Sequence, residues 1–127
     1  MQVVHVNKIT LNIPLTLPTL NVWQRWQWFK RRDYERELAK HIAHHPIKEP
    51  FQKAHIAVTR TAPGPLPDPD NLILKPLLDV LQINSKRHPH GVGIIADDTR
   101  DHVVISPVVA KSGKGFTRVV ITEIDHA

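Results

Sequence analysis

The sequence predicts a single small α/β domain spanning residues 1–127, with a mixed sheet flanked by two helices, and three observations carry that prediction. Alternating stretches rich in Val, Ile and Thr lie near both ends and in the middle, the period-two signature of strands. Between them are two stretches with apolar residues three and four apart, the spacing that gives a helix one apolar face. Clusters of Pro and Gly separate these segments, placing the boundaries where a ladder or a helix cannot continue. A chain of 127 residues has room for one ordinary core and no separate cofactor domain.

The first strand is read from Val3, Val4, Val6, Ile9, Leu11 and Ile13 and ends at Pro14, since proline has no N–H to offer a neighbouring strand. Trp23 to about His45 reads as one long helix. There Arg32, Asp33, Glu35, Arg36, Glu37 and Lys40 interleave with Tyr34, Leu38, His41 and Ile42 until Pro46 stops the pattern. Lys53 to Thr59 alternates again, with Ala54, Ile56 and Val58 on one face, before Ala62-Pro-Gly-Pro-Leu-Pro67 imposes a loop.

Leu72, Leu74, Leu77, Leu78 and Leu81 predict a second helix that starts after Asp70 or Asn71, either of which can cap it, with Pro76 early in it. A polar connection from Ser85 to Gly93 leads to a strand containing Val103, Val104, Ile105, Val108 and Val109. A turn at Ser112-Gly-Lys-Gly115 and a last strand, Phe116 to Ile124, are expected to close a hairpin. The predicted order is β-α-β-α-β-β.

Seventeen Lys and Arg against twelve Asp and Glu give a formal charge of +5 and a pI near 9.8. That balance favours an anionic partner, nucleic acid above all, although a basic surface can also serve solubility alone. The absence of Cys excludes disulfides, thiolate zinc sites and cysteine nucleophiles, and it fits a reducing cytoplasm. The opening residues lack the basic flank, apolar stretch and small-residue cleavage site of a signal peptide. No apolar run approaches the roughly 20 residues that span a bilayer, so a soluble protein without membrane contact is expected.

Against this basic background the carboxylates are concentrated. Asp68-Pro-Asp70-Asn71 is followed, a helix's length later, by Asp97-Asp98. Asp68 and Asp70 are two apart and share a side if extended, and Asp97 or Asp98 enters a strand where it can converge on them. Carboxylate oxygens suit Mg²⁺, which takes one or two of them with water and substrate phosphate oxygens. A metal held this way neutralises a phosphodiester and activates water. The same residues also suit local roles, with Asp70 or Asn71 capping a helix and the other aspartates in turns.

Asp68-x-Asp70-Asn71-Leu72, a following Lys, Asp79-x-Leu81 and then Asp97-Asp98 resembles the RusA family of Holliday junction resolvases. The opening strand, the charged helix, the strand before the acids, and a Lys111-Ser-Gly-Lys-Gly115 turn running into Val120-Ile-Thr-Glu123 extend the likeness over nearly the whole chain. The resemblance implies a small homodimeric endonuclease that uses Mg²⁺ to nick four-way DNA junctions symmetrically, commonly of phage or prophage origin. It also implies Asp68, Asp70 and Asp98 as catalytic metal ligands, with Asp97 beside them, and Lys75 as a catalytic group at the scissile phosphate. The family's Lys comes four residues after the second acid, where this chain has Leu74, and Lys75 comes fifth. One residue on a helix turns a side chain by roughly 100°. Either the extra residue is absorbed before the helix, which Pro76 favours, or Lys75 misses the site.

Lys30, Arg31 and Arg32, together with Lys111 and Lys114, are candidate DNA contacts. Trp23, Trp26, Trp28 and Phe29 beside them can stack bases, but packing inside the protein or a dimer is the expected role. His41, His44 and His45 read as a charged helix end rather than a zinc site, and His88 and His90 as solvated loop residues. Two other functions fit the same residues: a non-catalytic DNA-binding module, and a metal-dependent nuclease acting on other nucleic acids.

Overall fold

A computed structural model describes residues 7–124, so the strand positions expected at Val3, Val4 and Val6 lie outside the described residues. Its elements are β1 (Lys8–Ile13), α1 (Leu20–Arg25), α2 (Trp28–Ile42), β2 (Ala54–Ala62), α3 (Lys75–Leu81), β3 (Val103–Ile105), β4 (Val109–Ser112) and β5 (Phe116–Glu123), with a short 3₁₀ turn at Pro69–Asn71. The α/β class, the mixed sheet and the single small domain stand as expected.

The sheet runs β1-β5-β2-β3, and β4 continues the β3 edge alongside β2. β5 is antiparallel to both β1 and β2, whereas β3 and β4 are parallel to β2. The expected closing hairpin is therefore wrong. β4 and β5 lie on opposite sides of β2, and the Ser112–Gly115 turn carries the chain across its end. There Gly113 N–H bonds the Ala62 carbonyl at 3.0 Å, and Ser112 Oγ bonds that of Gly64 at 3.0 Å.

The expected single strand from Val103 to Val109 is two. Ser106 N–H still reaches the Ile56 carbonyl at 3.0 Å, but Pro107 has no N–H to continue the ladder. Alternation decides which face packs. Ile9, Leu11 and Ile13 of β1, Ala54, Ile56 and Val58 of β2, and Val119 and Ile121 of β5 are all buried, in one core with Leu38 and Ile42 of α2 and Leu77, Val80 and Leu81 of α3.

The long first helix is broken as well. Trp26 has ψ 136 and Gln27 ψ 161, both extended, so the chain bends between α1 and α2. Arg31 Nε donates to the Trp23 carbonyl at 3.0 Å, capping the end of α1 with a side chain from α2. Inside the bend Trp23, Trp26 and Tyr34 pack together, with Trp26 and Tyr34 centroids 5.5 Å apart. Among the described residues no helix is long and apolar enough to cross a membrane.

Candidate active site

The first acidic pair is presented on the 3₁₀ turn that follows β2. Asp68 precedes the turn with extended backbone, and its carbonyl accepts the Asn71 N–H at 2.9 Å. Neither aspartate is consumed by local structure: the turn has no side-chain cap, and both Asp68 and Asp70 are exposed. The helix-capping role open to Asp70 or Asn71 is not used, because α3 starts only at Lys75, after Leu74, without a side-chain cap. Asn71 instead turns away, and its Oδ1 accepts the Asn21 N–H at 3.0 Å. Together with the Thr19–Leu72 bridge, this bond fastens α1 to the acidic turn.

The second acidic pair is in the loop before β3. Asp97 has a local task there: its Oδ1 accepts the Asp98 N–H at 2.7 Å, and this bond holds its pKa below the usual carboxylate value. Asp98 is exposed. Pro69, Leu72 and Leu74 line an open cleft of about 370 Å³ with Ile105, Ser106, Pro107 and Val108. The first pair thus lies beside the far end of β3, while Asp97 and Asp98 lead into its start. Among the described residues no three His, Asp or Glu side chains are arranged to hold a metal ion. Asp68, Asp70 and Asp98 are all exposed, and their carboxylate oxygens are donors chemically suited to Mg²⁺.

Lys75 and Pro76 open α3, so Leu72 and Leu74 fall outside the helix that their spacing suggested. Lys75 is exposed, with Nζ 3.3 Å from Asp79 Oδ2 one turn on. A Lys N-terminal to its acid, at the positive end of a helix, is the less favourable order for helix stability. Its placement is therefore not explained by the helix it starts.

Where α2 packs on α3 a second group of titratable residues meets, and the burial of its member Glu35 was missed by sequence reading. Glu35 of α2 is only 7% exposed and makes no hydrogen bond among the described residues. Burial first, and then the nearby charge of Asp79, raise its pKa, while Arg32 and Lys75 oppose the shift. Asp79 is also largely buried, and its Oδ1 lies 3.8 Å from Nδ1 of His88, an atom that is buried without a hydrogen bond. His88 is thus enclosed rather than solvated. His90 is held below its usual pKa by burial and by Arg36 and Arg32. A signal for Glu35 existed: it falls three and seven residues before Leu38 and Ile42, the buried stripe of α2.

The basic segment is partly committed inward. Arg31 bonds the Trp23 carbonyl and lies over its ring at 5.1 Å, and Lys30 Nζ is 4.9 Å from the Trp26 ring. Trp23 is buried, but Trp28 and Phe29 are not, so packing accounts for the inner rings only. Lys111 and Lys114 are exposed around the β4–β5 turn, and Lys114 borders a cleft with Asn12, Pro14 and Phe116. His45 is structural: Nε2 bonds the Val92 carbonyl at 2.7 Å while Nδ1 accepts the Ile47 N–H at 3.1 Å. That pairing assigns the neutral tautomer protonated at Nε2. No protein-family model matches the chain, and comparison with curated proteins gives no match.

Proposed function

We propose that the protein is a Mg²⁺-dependent, structure-selective endodeoxyribonuclease of the RusA type, acting in the cytoplasm as a homodimer that nicks both strands of a four-way junction. The observation that carries this reading is the pair Asp68 and Asp70: two exposed carboxylates, free of any capping duty, on a turn clamped at its Asn71 to α1. One or two carboxylates are what Mg²⁺ takes from a protein when substrate phosphate completes its shell. Bound there, the ion would offset phosphate charge and make water a better nucleophile. Asp68 and Asp70 would hold it, with Asp98 joining from the loop before β3. Lys75 would place its ammonium against the phosphate, with Asp79 fixing where that ammonium sits. A symmetric dimer supplies two equivalent sites for two nicks.

Cleavage of a labelled four-way junction in Mg²⁺ and in chelator tests the proposal. Asp70→Asn is expected to reduce nicking by at least about a hundredfold while junction binding stays equal or tightens, because a negative charge near the backbone is removed. Undiminished cleavage by that variant would end the assignment. A second reading has its own support: Lys75 is paired with Asp79, which suits a DNA-binding module without catalysis. Metal-independent binding with no nicks by the unaltered protein would favour it. Linear duplex and RNA substrates in the same assay decide whether other nucleic acids are cut.

A further inference from the structure

We infer that Trp28 and Phe29 form a stacking platform for an unpaired base of a bound nucleic acid strand. Trp28 is 74% exposed and Phe29 51%, and their rings meet edge to face with centroids 6.0 Å apart. The neighbouring rings have structural work: Trp23 and Trp26 hold the α1–α2 bend against Tyr34. The outer pair has none, and large aromatic surface left in water at the start of a helix is characteristic of an interaction site.

The charge around the rings selects the partner. From Gln24 to Arg32 the chain carries Arg25, Lys30, Arg31 and Arg32 and no carboxylate. The next acid, Asp33, is paired with Arg36 at 3.0 Å. A second copy docking this patch on itself would bring both sets of cations face to face, which like charges oppose. A polyanion with flat π-faces satisfies both halves of the surface: cations meet phosphate and rings meet bases. A paired base keeps its faces inside the duplex stack, so the rings select unpaired ones.

Location joins the platform to the acidic turn. The Asn21–Asn71 bond and the Thr19–Leu72 bridge fix the start of α1 beside Asp70. The six residues of α1 rise about 9 Å, and the platform begins just beyond the helix's other end. The inference rests on the proposed function only in taking nucleic acid as the partner.

Fluorescence anisotropy on three labelled DNAs tests it: a perfect duplex, the same duplex with an unpaired bulge, and a single strand. Trp28→Ala and Phe29→Ala are expected to weaken binding of the bulged and single-stranded probes about tenfold, leave the duplex within about twofold, and keep the salt dependence unchanged. Trp28→Phe should retain most of the preference. Both residues are exposed, so circular dichroism should show all variants folded. Equal binding of every probe by Trp28→Ala overturns the platform even where the unaltered protein binds and cuts DNA. Conversion of a dimer to a monomer by that variant overturns it too, since the rings would then be a subunit contact. Failure of the unaltered protein to bind the bulged and single-stranded probes overturns the platform, whereas failure to bind a four-way junction sinks the proposed function instead.

Discussion

Two pairs of carboxylates are tied to α3, and water treats them oppositely. Asp68 and Asp70 precede the helix on an exposed turn, where their carboxylates stay available to a ligand. Glu35 of α2 and Asp79 of α3 face each other between the two helices, where burial first and then the charge of Asp79 raise the pKa of Glu35. The first arrangement keeps negative charge ready for a cation. The second holds negative charge where the fold itself must answer it, through Lys75, Arg32 and the proximity of His88. A motif made of aspartates thus separates by environment into groups free to bind and groups that set the state of their neighbours.

Altering Lys75, which stands between the two pairs, gives the largest effect expected outside the acidic turn itself. Lys75→Ala should lower junction cleavage about a hundredfold with binding changed by no more than about twofold. An unchanged rate would leave Lys75 as the partner of Asp79 and nothing more. A smaller effect is expected inside the buried pair. Because burial and Asp79 raise the pKa of Glu35 above its ordinary 4.5, the folded chain keeps a proton there that the unfolded chain has released. Stability therefore falls as pH climbs from 4.5 through the raised value. Glu35→Gln should remove that loss, leaving the variant about 1 kcal/mol more stable at neutral pH with little difference in acid. Urea unfolding at both pH values measures the gap, and a gap independent of pH contradicts the assignment. The smallest effect belongs to the exposed pair's support. Asn71→Ala deletes the bond to Asn21 and should cost about 0.5 to 1 kcal/mol, with α1 amide exchange increasing near Asn21 and no change at α3. Uniform loss of protection would show that the clamp is not local.

Much of this was readable before any coordinates. The alternation at Ala54, Ile56 and Val58, the Pro14 stop and the place of Pro76 near a helix start all follow from local chemistry, and each appears in the structure. What stayed hidden depends on distant partners. The bend after Trp26 is held by Arg31 reaching back across it and by packing on Tyr34. The hairpin expectation failed because Gly113 matched a local turn rule, whereas strand order is decided by which edges of β2 remain to be filled. Glu35 was submerged in a run of charges that reads as a wet helix face, although its spacing to Leu38 and Ile42 puts it on the buried stripe of α2. At the acidic motif the sequence located exposed aspartates, but nothing local determines the path of the loop that carries Asp98.

The position of β5 has a consequence for how the chain reaches its native state. The strand formed last along the chain is inserted between β1 and β2, pairing Lys8 with Thr122 and Ala54 with Glu123. Until it emerges from the ribosome, β1 has no ladder to join and β2 is open along one side. Sheet assembly must then close a loop of more than a hundred residues, which makes folding slow relative to a chain with sequential pairing. Nascent chains stalled just short of Phe116 should accordingly be protease-sensitive throughout, and release of the remaining residues should protect both halves together.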